Sequence, residues 1–173
     1  MKLPEQFKQI KTFVFDVDGV LTDGTVWVMD EKQMVRRMNI KDGYALQLAI
    51  RQGYRVLIIS GGSSEAVKIR LERLGVTDIY MGVHNKKEVL AEYAVQHSLQ
   101  WNEILFMGDD IPDYITMQMT GMPCAPANAA PEIKQISKYI SALDGGHGCV
   151  RDVIEKVLKL NAHWSLDTEI ASK

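Results

Sequence analysis

An apolar run, Phe13-Val14-Phe15, stops at Asp16-Val17-Asp18-Gly19 and is followed by Val20-Leu21-Thr22-Asp23-Gly24. An apolar run bounded by turn residues reads as a buried strand. The two acids then sit where the strand ends and the chain turns. In open parallel α/β sheets, that carboxyl edge is where ligands bind. The expectation is that Asp16 does covalent chemistry beside a metal ion, with Asp18 as its proton-transfer partner. Either Asp could instead cap the turn.

The rest of the chain repeats the pattern. Strands are expected over 12–17, 54–60, 78–81 and 103–108, and helices over 42–52, the stretch after Ser64 to Leu74, 86–97 and 112–119. This alternation predicts an α/β fold with a mostly parallel sheet. Right-handed crossovers would bring the strand ends to one edge. Two short strands over 25–29 and 34–40, joined by the polar turn Asp30-Glu31-Lys32-Gln33, predict a β-hairpin standing over the acidic turn as a flap. Later, 123–125 reads as an edge strand, 131–135 as a short helix and 139–140 as a small strand. Gly145-Gly146-His147-Gly148 reads as a flexible turn, and a helix is expected over 149–160. The polar stretch from Asn161, with its single Trp164, reads as a mobile tail. The expected organisation is one domain over 1–160 and a C-terminal tail over 161–173.

Composition narrows the function classes. The 173 residues carry a net charge of −2, so no basic field favours nucleic acid or an anionic membrane. No apolar stretch approaches a membrane span, and the N-terminus does not read as a signal peptide. Cys124 and Cys149 lack metal-site spacing and predict no disulfide framework, which fits a cytoplasmic protein.

Four strand ends and loops offer a consistent set: Asp16 and Asp18, then Ser60 with Gly61 and Gly62, then Lys86, then Asp109, Asp110 and Asp113. Phosphoryl transfer needs these types. A carboxylate can attack phosphorus and form an aspartyl phosphate. Mg2+ takes carboxylate oxygens, waters and a phosphate oxygen. A hydroxyl, amides near glycines and one lysine can hold the remaining phosphoryl oxygens. Adjacent acids at a buried strand end repel unless an ion is present. Two other readings use similar parts: a non-catalytic metal-binding oligomerisation module, and a phosphoryl-acceptor signalling domain. Asp18, an acid two residues beyond the first, disfavours the latter.

With these residues in order, the chain resembles the haloacid dehalogenase superfamily of phosphohydrolases. More closely it is similar to the capless 3-deoxy-D-manno-octulosonate 8-phosphate phosphatases, through Lys41-Asp42-Gly43-Tyr44, Arg70, Asn85-Lys86 and Gly145-Gly146-x-Gly148-x-Val150-Arg151-Asp152. The resemblance implies a Rossmann-like three-layer sandwich with a hairpin flap and no cap domain. It implies that Asp16 is the nucleophile and that Asp18 serves as general acid, then general base. Asp16, the backbone carbonyl of Asp18, and Asp109 would hold Mg2+. Ser60 and Lys86 would bind the phosphoryl group, with Gly61 and Gly62 at the substrate. Asp110 and Asp113 would support the metal or orient Lys86, and Arg70 would read the substrate's carboxylate. It further implies a homotetramer acting on a small sugar-acid phosphate in lipopolysaccharide precursor synthesis. Gly62, where sister enzymes acting on nine-carbon acids tend to carry an acidic residue, leans toward the eight-carbon acid.

Overall fold

The computed structural model describes residues 2–30 and 33–171. A short helix α1 (Leu3–Gln9) leads into β1 (Thr12–Phe15), and a tight turn over Val17–Leu21 follows. The hairpin strands β2 (Trp27–Val28) and β3 (Met34–Val35) come next, then α2 (Ile40–Arg51), β4 (Arg55–Ile59), α3 (Glu65–Arg73), β5 (Asp78–Tyr80) and α4 (Lys86–Gln96). The second half runs β6 (Ile104–Met107), a single 3-10 turn (Ile111–Asp113), α5 (Tyr114–Gln118), β7 (Met122–Ala125), α6 (Pro131–Ile136), β8 (Tyr139–Ile140) and α7 (Cys149–Leu160).

The six-stranded sheet has the order β5-β4-β1-β6-β7-β8, and every pairing is parallel. β1 lies centrally, with Thr12 opposite both Arg55 of β4 and Ile104 of β6. The chain winds outward one way from β1 to β4 and β5, then returns to the other side through β6. That reversal opens a crevice at the carboxyl ends of β1, β4 and β6.

Strand alternation divides the core between two layers. Phe13 and Phe15 face one way, packed with Ala45, Leu71 and Val153 of α2, α3 and α7. Val14 faces the other way, packed with Leu90, Met117 and Ile133 of α4, α5 and α6. All four residues of β1 are buried, as are those of β6. The architecture is therefore the expected three-layer α/β sandwich, and no cap domain covers the strand ends among the described residues.

Several local expectations change. β1 ends at Phe15, not residue 17, because Asp16 accepts the Val17 amide and starts the turn. β7 is not an edge strand; it lies between β6 and β8, all four residues buried. Pro123 still takes part there, its carbonyl accepting from the Lys138 amide at 2.9 Å. The hairpin strands are only two residues long, and both are exposed. The predicted second strand, 34–40, is cut short because Asn39 caps α2, its Oδ1 accepting from Lys41 N at 2.8 Å. Glu31 and Lys32 of the predicted turn lie outside the described residues. Pro112 splits the predicted helix over 112–119 into a 3-10 turn and α5.

Two segments read as flexible are held. Gly146 N donates to Val20 O at 2.9 Å and Gly145 N to Asn128 Oδ1 at 2.9 Å. Gly145 packs so closely on the acidic turn that a Cβ there would lie 1.8 Å from Gly19 O. The tail folds back along α2. Tyr44 Oη donates to Ser165 O at 2.7 Å and accepts from Asp167 N at 2.9 Å, while Arg51 pairs with Asp167 at 2.7 Å. Ile170 reaches the core, and Trp164 meets Tyr44 edge-on.

Candidate active site

The carboxyl ends of β1, β4 and β6 and the start of α4 open on one cavity of about 370 Å3, lined by Asp16, Asp18, Ser60, Gly61, Gly62, Lys86, Asp109, Asp110 and Asp113. All the acids, the hydroxyl, the glycine pair and the lysine singled out in the sequence converge there. Arg70 does not. It lines a separate cavity between the hairpin and α3.

Asp16 follows β1 directly and is buried. Its Oδ1 accepts from Val17 N at 2.6 Å, and its Oδ2 lies 3.0 Å from Lys86 Nζ. Gly19 makes the turn possible. Its φ of +87° lies in the left-handed region, and a Cβ there would meet Asp109 Oδ2 at 1.9 Å. Thr22 Oγ1 closes the loop, accepting from Gly19 N at 3.2 Å and Gly24 N at 3.4 Å.

Ser60 directly follows β4 and is buried, its Oγ accepting from Gly62 N at 3.2 Å. Lys86 opens α4 and reaches inward to Asp113 Oδ1 at 2.7 Å. Burial would lower the Lys86 pKa, but Asp113 and Asp16 outweigh it, so the ammonium is held above its ordinary value. The other oxygen of Asp113 accepts from Asp109 N at 3.1 Å. Asp113 thus ties the lysine to the backbone of the β6 loop. Asp110 lines the rim and is exposed.

Asp16, Asp109 and Asp113 each offer a carboxylate oxygen within 4.8 Å of the others. Asp109 Oδ1 is buried without a hydrogen-bond partner among the described residues. Burial, then repulsion from Asp113, pushes Asp16 up to about 7 against the pull of Lys86. Burial and the three neighbouring carboxylates push Asp109 up to about 7 as well. Three acids facing one lysine, with an orphaned oxygen among them, fit a hard divalent cation such as Mg2+. The Asp18 carboxylate is not among these three and is paired with Arg36 at 2.6 Å.

The Asp16 and Asp109 carboxyls bind protons more tightly when folded than when unfolded, so without a cation the folded state loses stability as pH rises from about 4 through about 7. A divalent cation answers the same charge. Mg2+ should therefore raise the melting temperature more at pH 8 than at pH 5.5. An equal gain at both pH values would rule out carboxylate ligation.

Sequence reasoning missed Arg36. Its Nε lies 2.6 Å from Asp18 Oδ1 and its Nη2 lies 3.3 Å from Asp18 Oδ2. It also missed His84 and Gly24, which line the cavity rim. The only sequence signal for Arg36 was a basic pair, Arg36-Arg37, on an otherwise apolar hairpin strand.

A family profile described as haloacid dehalogenase-like hydrolase matches residues 73–151. The chain is 30% identical over 151 residues to the 3-deoxy-D-manno-octulosonate 8-phosphate phosphatase KdsC of Escherichia coli K12, covering 87% of this chain and 80% of that one. A crystal structure of the phosphatase of that name from Yersinia pestis superposes with a TM-score of 0.90 at 27% identity, over 93% of this chain and 87% of that one. The Moraxella catarrhalis enzyme, solved in complex with a magnesium ion, a phosphate ion and a KDO molecule, gives a TM-score of 0.88 at 31% identity. There the coverage is 91% of this chain and 90% of that one.

Proposed function

The chain belongs to the haloacid dehalogenase-like hydrolases, in the 3-deoxy-D-manno-octulosonate 8-phosphate phosphatase family, and from that we propose that it hydrolyses this sugar-acid phosphate with Mg2+, through an aspartyl-phosphate intermediate. The observation that carries the reading is the buried Asp16, 3.0 Å from Lys86 and facing Asp109 across a cavity that also holds Ser60.

Asp16 supplies the nucleophilic oxygen. As its bond to phosphorus forms, the bond to the sugar oxygen breaks, and Asp18 gives that oxygen its proton. Asp18, now a carboxylate, takes a proton from water as the water oxygen bonds to phosphorus and the bond to Asp16 breaks. Lys86 and Ser60 hold phosphoryl oxygens, and Asp113 fixes Lys86. Asp16, the Asp18 carbonyl and Asp109 hold the cation, with Asp110 and Asp113 in support. The cation, when bound, screens the repulsion between carboxylates and the phosphate dianion.

Gly62 favours the eight-carbon acid over a nine-carbon one. A side chain there would crowd Asp18, since a Cβ would lie 2.6 Å from Asp18 Oδ2. Arg70, by its family position, reads the substrate's carboxylate; because it lies outside its own phosphoryl cavity, it would do so across a subunit boundary. The deciding measurement is phosphate release with Mg2+ from both sugar-acid phosphates. The eight-carbon acid should be preferred, and Arg70→Ala should weaken acids more than an aryl phosphate. Absence of release from every sugar phosphate would favour the metal-binding module.

The assembly that fits is a homotetramer in the cytoplasm, with 1–160 as its phosphatase domain and 161–173 as a tail. Its support is the hairpin, whose Trp27 and Val28 are 68% and 80% exposed; such apolar surface seeks a partner. Both cysteines are free and buried, in keeping with a reducing compartment. Light scattering should give four subunits, and Trp27→Glu should dissociate them. A monomeric wild type would overturn the assembly.

A further inference from the structure

Arg36 stands where two cavities meet. It grips Asp18, which lines the phosphoryl cavity, and it lines the larger cavity of about 860 Å3 between the hairpin and the start of α3. Ser63, next to Gly62 in the chain, continues the wall from one cavity to the other. The larger cavity carries two arginines, Arg36 and Arg70, against one acid, Glu65, and its remaining wall includes Met34, Met38 and Val67. Its size is ordinary for a small-molecule site.

We infer that Arg36 is a specificity-determining residue, binding the anionic body of the leaving group from within the same subunit. The inference rests on the phosphatase reading. If Asp18 protonates the leaving oxygen, that oxygen lies at Asp18, and the body attached to it begins where the Arg36 guanidinium stands. A guanidinium has five N–H donors in a planar fork suited to a carboxylate. Among the described residues three are taken: by Asp18 Oδ1, by Asp18 Oδ2, and by Met34 O at 3.4 Å. The other two have no acceptor among the described residues, so Arg36 can take a substrate carboxylate without releasing Asp18. The Arg36 side chain is 8% exposed, which shields such a contact from water and strengthens it. A phosphate ester with a neutral body gains nothing there. Selection for acids would therefore not depend wholly on a residue delivered by a neighbour.

The test uses the full chain with Mg2+ and two substrates, 3-deoxy-D-manno-octulosonate 8-phosphate and the neutral-bodied arabinose 5-phosphate. Arg36→Gln should raise KM for the acid about thirtyfold, the loss of one hydrogen bond to a charged group. The neutral substrate reports only the broken ion pair with Asp18, so its loss of kcat/KM should be at least about tenfold smaller than the loss on the acid. Arg36→Lys, which keeps the charge but loses the planar fork, should recover only part of the lost affinity for the acid. Equal loss on both substrates would overturn the inference, since Arg36 would then act only through Asp18. Unchanged KM on both would overturn it too, leaving Arg36 as a hairpin tie. Failure of the phosphatase reading looks different: the wild type would release phosphate from neither substrate.

Discussion

Asp16→Asn should leave a folded protein whose phosphate release falls at least about a thousandfold, because an amide cannot replace a carboxylate nucleophile. The same substitution should raise the melting temperature of the cation-free protein at pH 8. Asp16 is buried and repelled by Asp113 there, and its carboxyl is pushed up to about 7. An uncharged Asn removes that repulsion while its side-chain oxygen can still accept from Val17 N. Activity and stability should thus move in opposite directions, as expected where a site stores unfavourable charge. Calorimetry and phosphate release on one preparation check both. Substantial residual turnover would remove Asp16 from the nucleophile's role. A lower melting temperature would show that Asp16 is needed for folding.

The second large effect is expected far from the chemistry in sequence. Gly145→Ala places a methyl group 1.8 Å from Gly19 O and 2.5 Å from Gly19 C. These are backbone atoms of the turn between Asp18 and Val20, with no rotamer to change. Either the start of α7 or the acidic turn must move. The cost should be about 3 kcal/mol or more, at the upper end for overpacking. Gly53→Ala is the control: its φ is +83°, but nothing lies within 4 Å of the new Cβ. It should cost only about 1 kcal/mol, the backbone penalty alone. Denaturant melts of the two variants, with kcat beside each, separate the cases. Similar losses would mean that the loop yields freely and does not brace the turn.

The central strands were legible because they are buried on both faces beyond their first residues, so β1 after Thr12, β4 after Arg55 and all of β6 read as apolar runs. Their ends gave Asp16, Ser60 and Asp109, and the parallel winding that brings those ends together follows from connection rules. Lys86, at a helix start where a lysine is usually solvated, was legible only in order with Asp16, Ser60 and Asp109 and through the family resemblance of Asn85-Lys86. The roles left blank depend on contacts distant in sequence. Arg36 is one charged residue on an exposed hairpin, and nothing nearby says that it turns back to Asp18, eighteen positions earlier. The glycines at 145 and 146 carry the same local signal as any loop; that they are buried against the acidic turn is a fact of tertiary packing. The tail looks mobile by its polarity, yet its anchors are Tyr44 and Arg51 of α2. β7, expected at an edge, lies inside the sheet although it contains Pro123, whose carbonyl still finds the Lys138 amide.

The place of β1 at the middle of the sheet also sets an order in time. Thr12 pairs with Arg55 and with Ile104, so the first strand made waits for partners from the middle of the chain. During synthesis from the N-terminus, Asp16 leaves the ribosome long before Lys86 and Asp113 exist to offset it. The self-repelling acids are drawn together only once that counter-charge is available, and the brace at Gly145 follows later still. A nascent chain stopped between Asp113 and Gly145 would carry every catalytic group and still lack the wedge that fixes the turn. Competence would arrive with about the last sixth of the chain, well after the chemistry has been written into it.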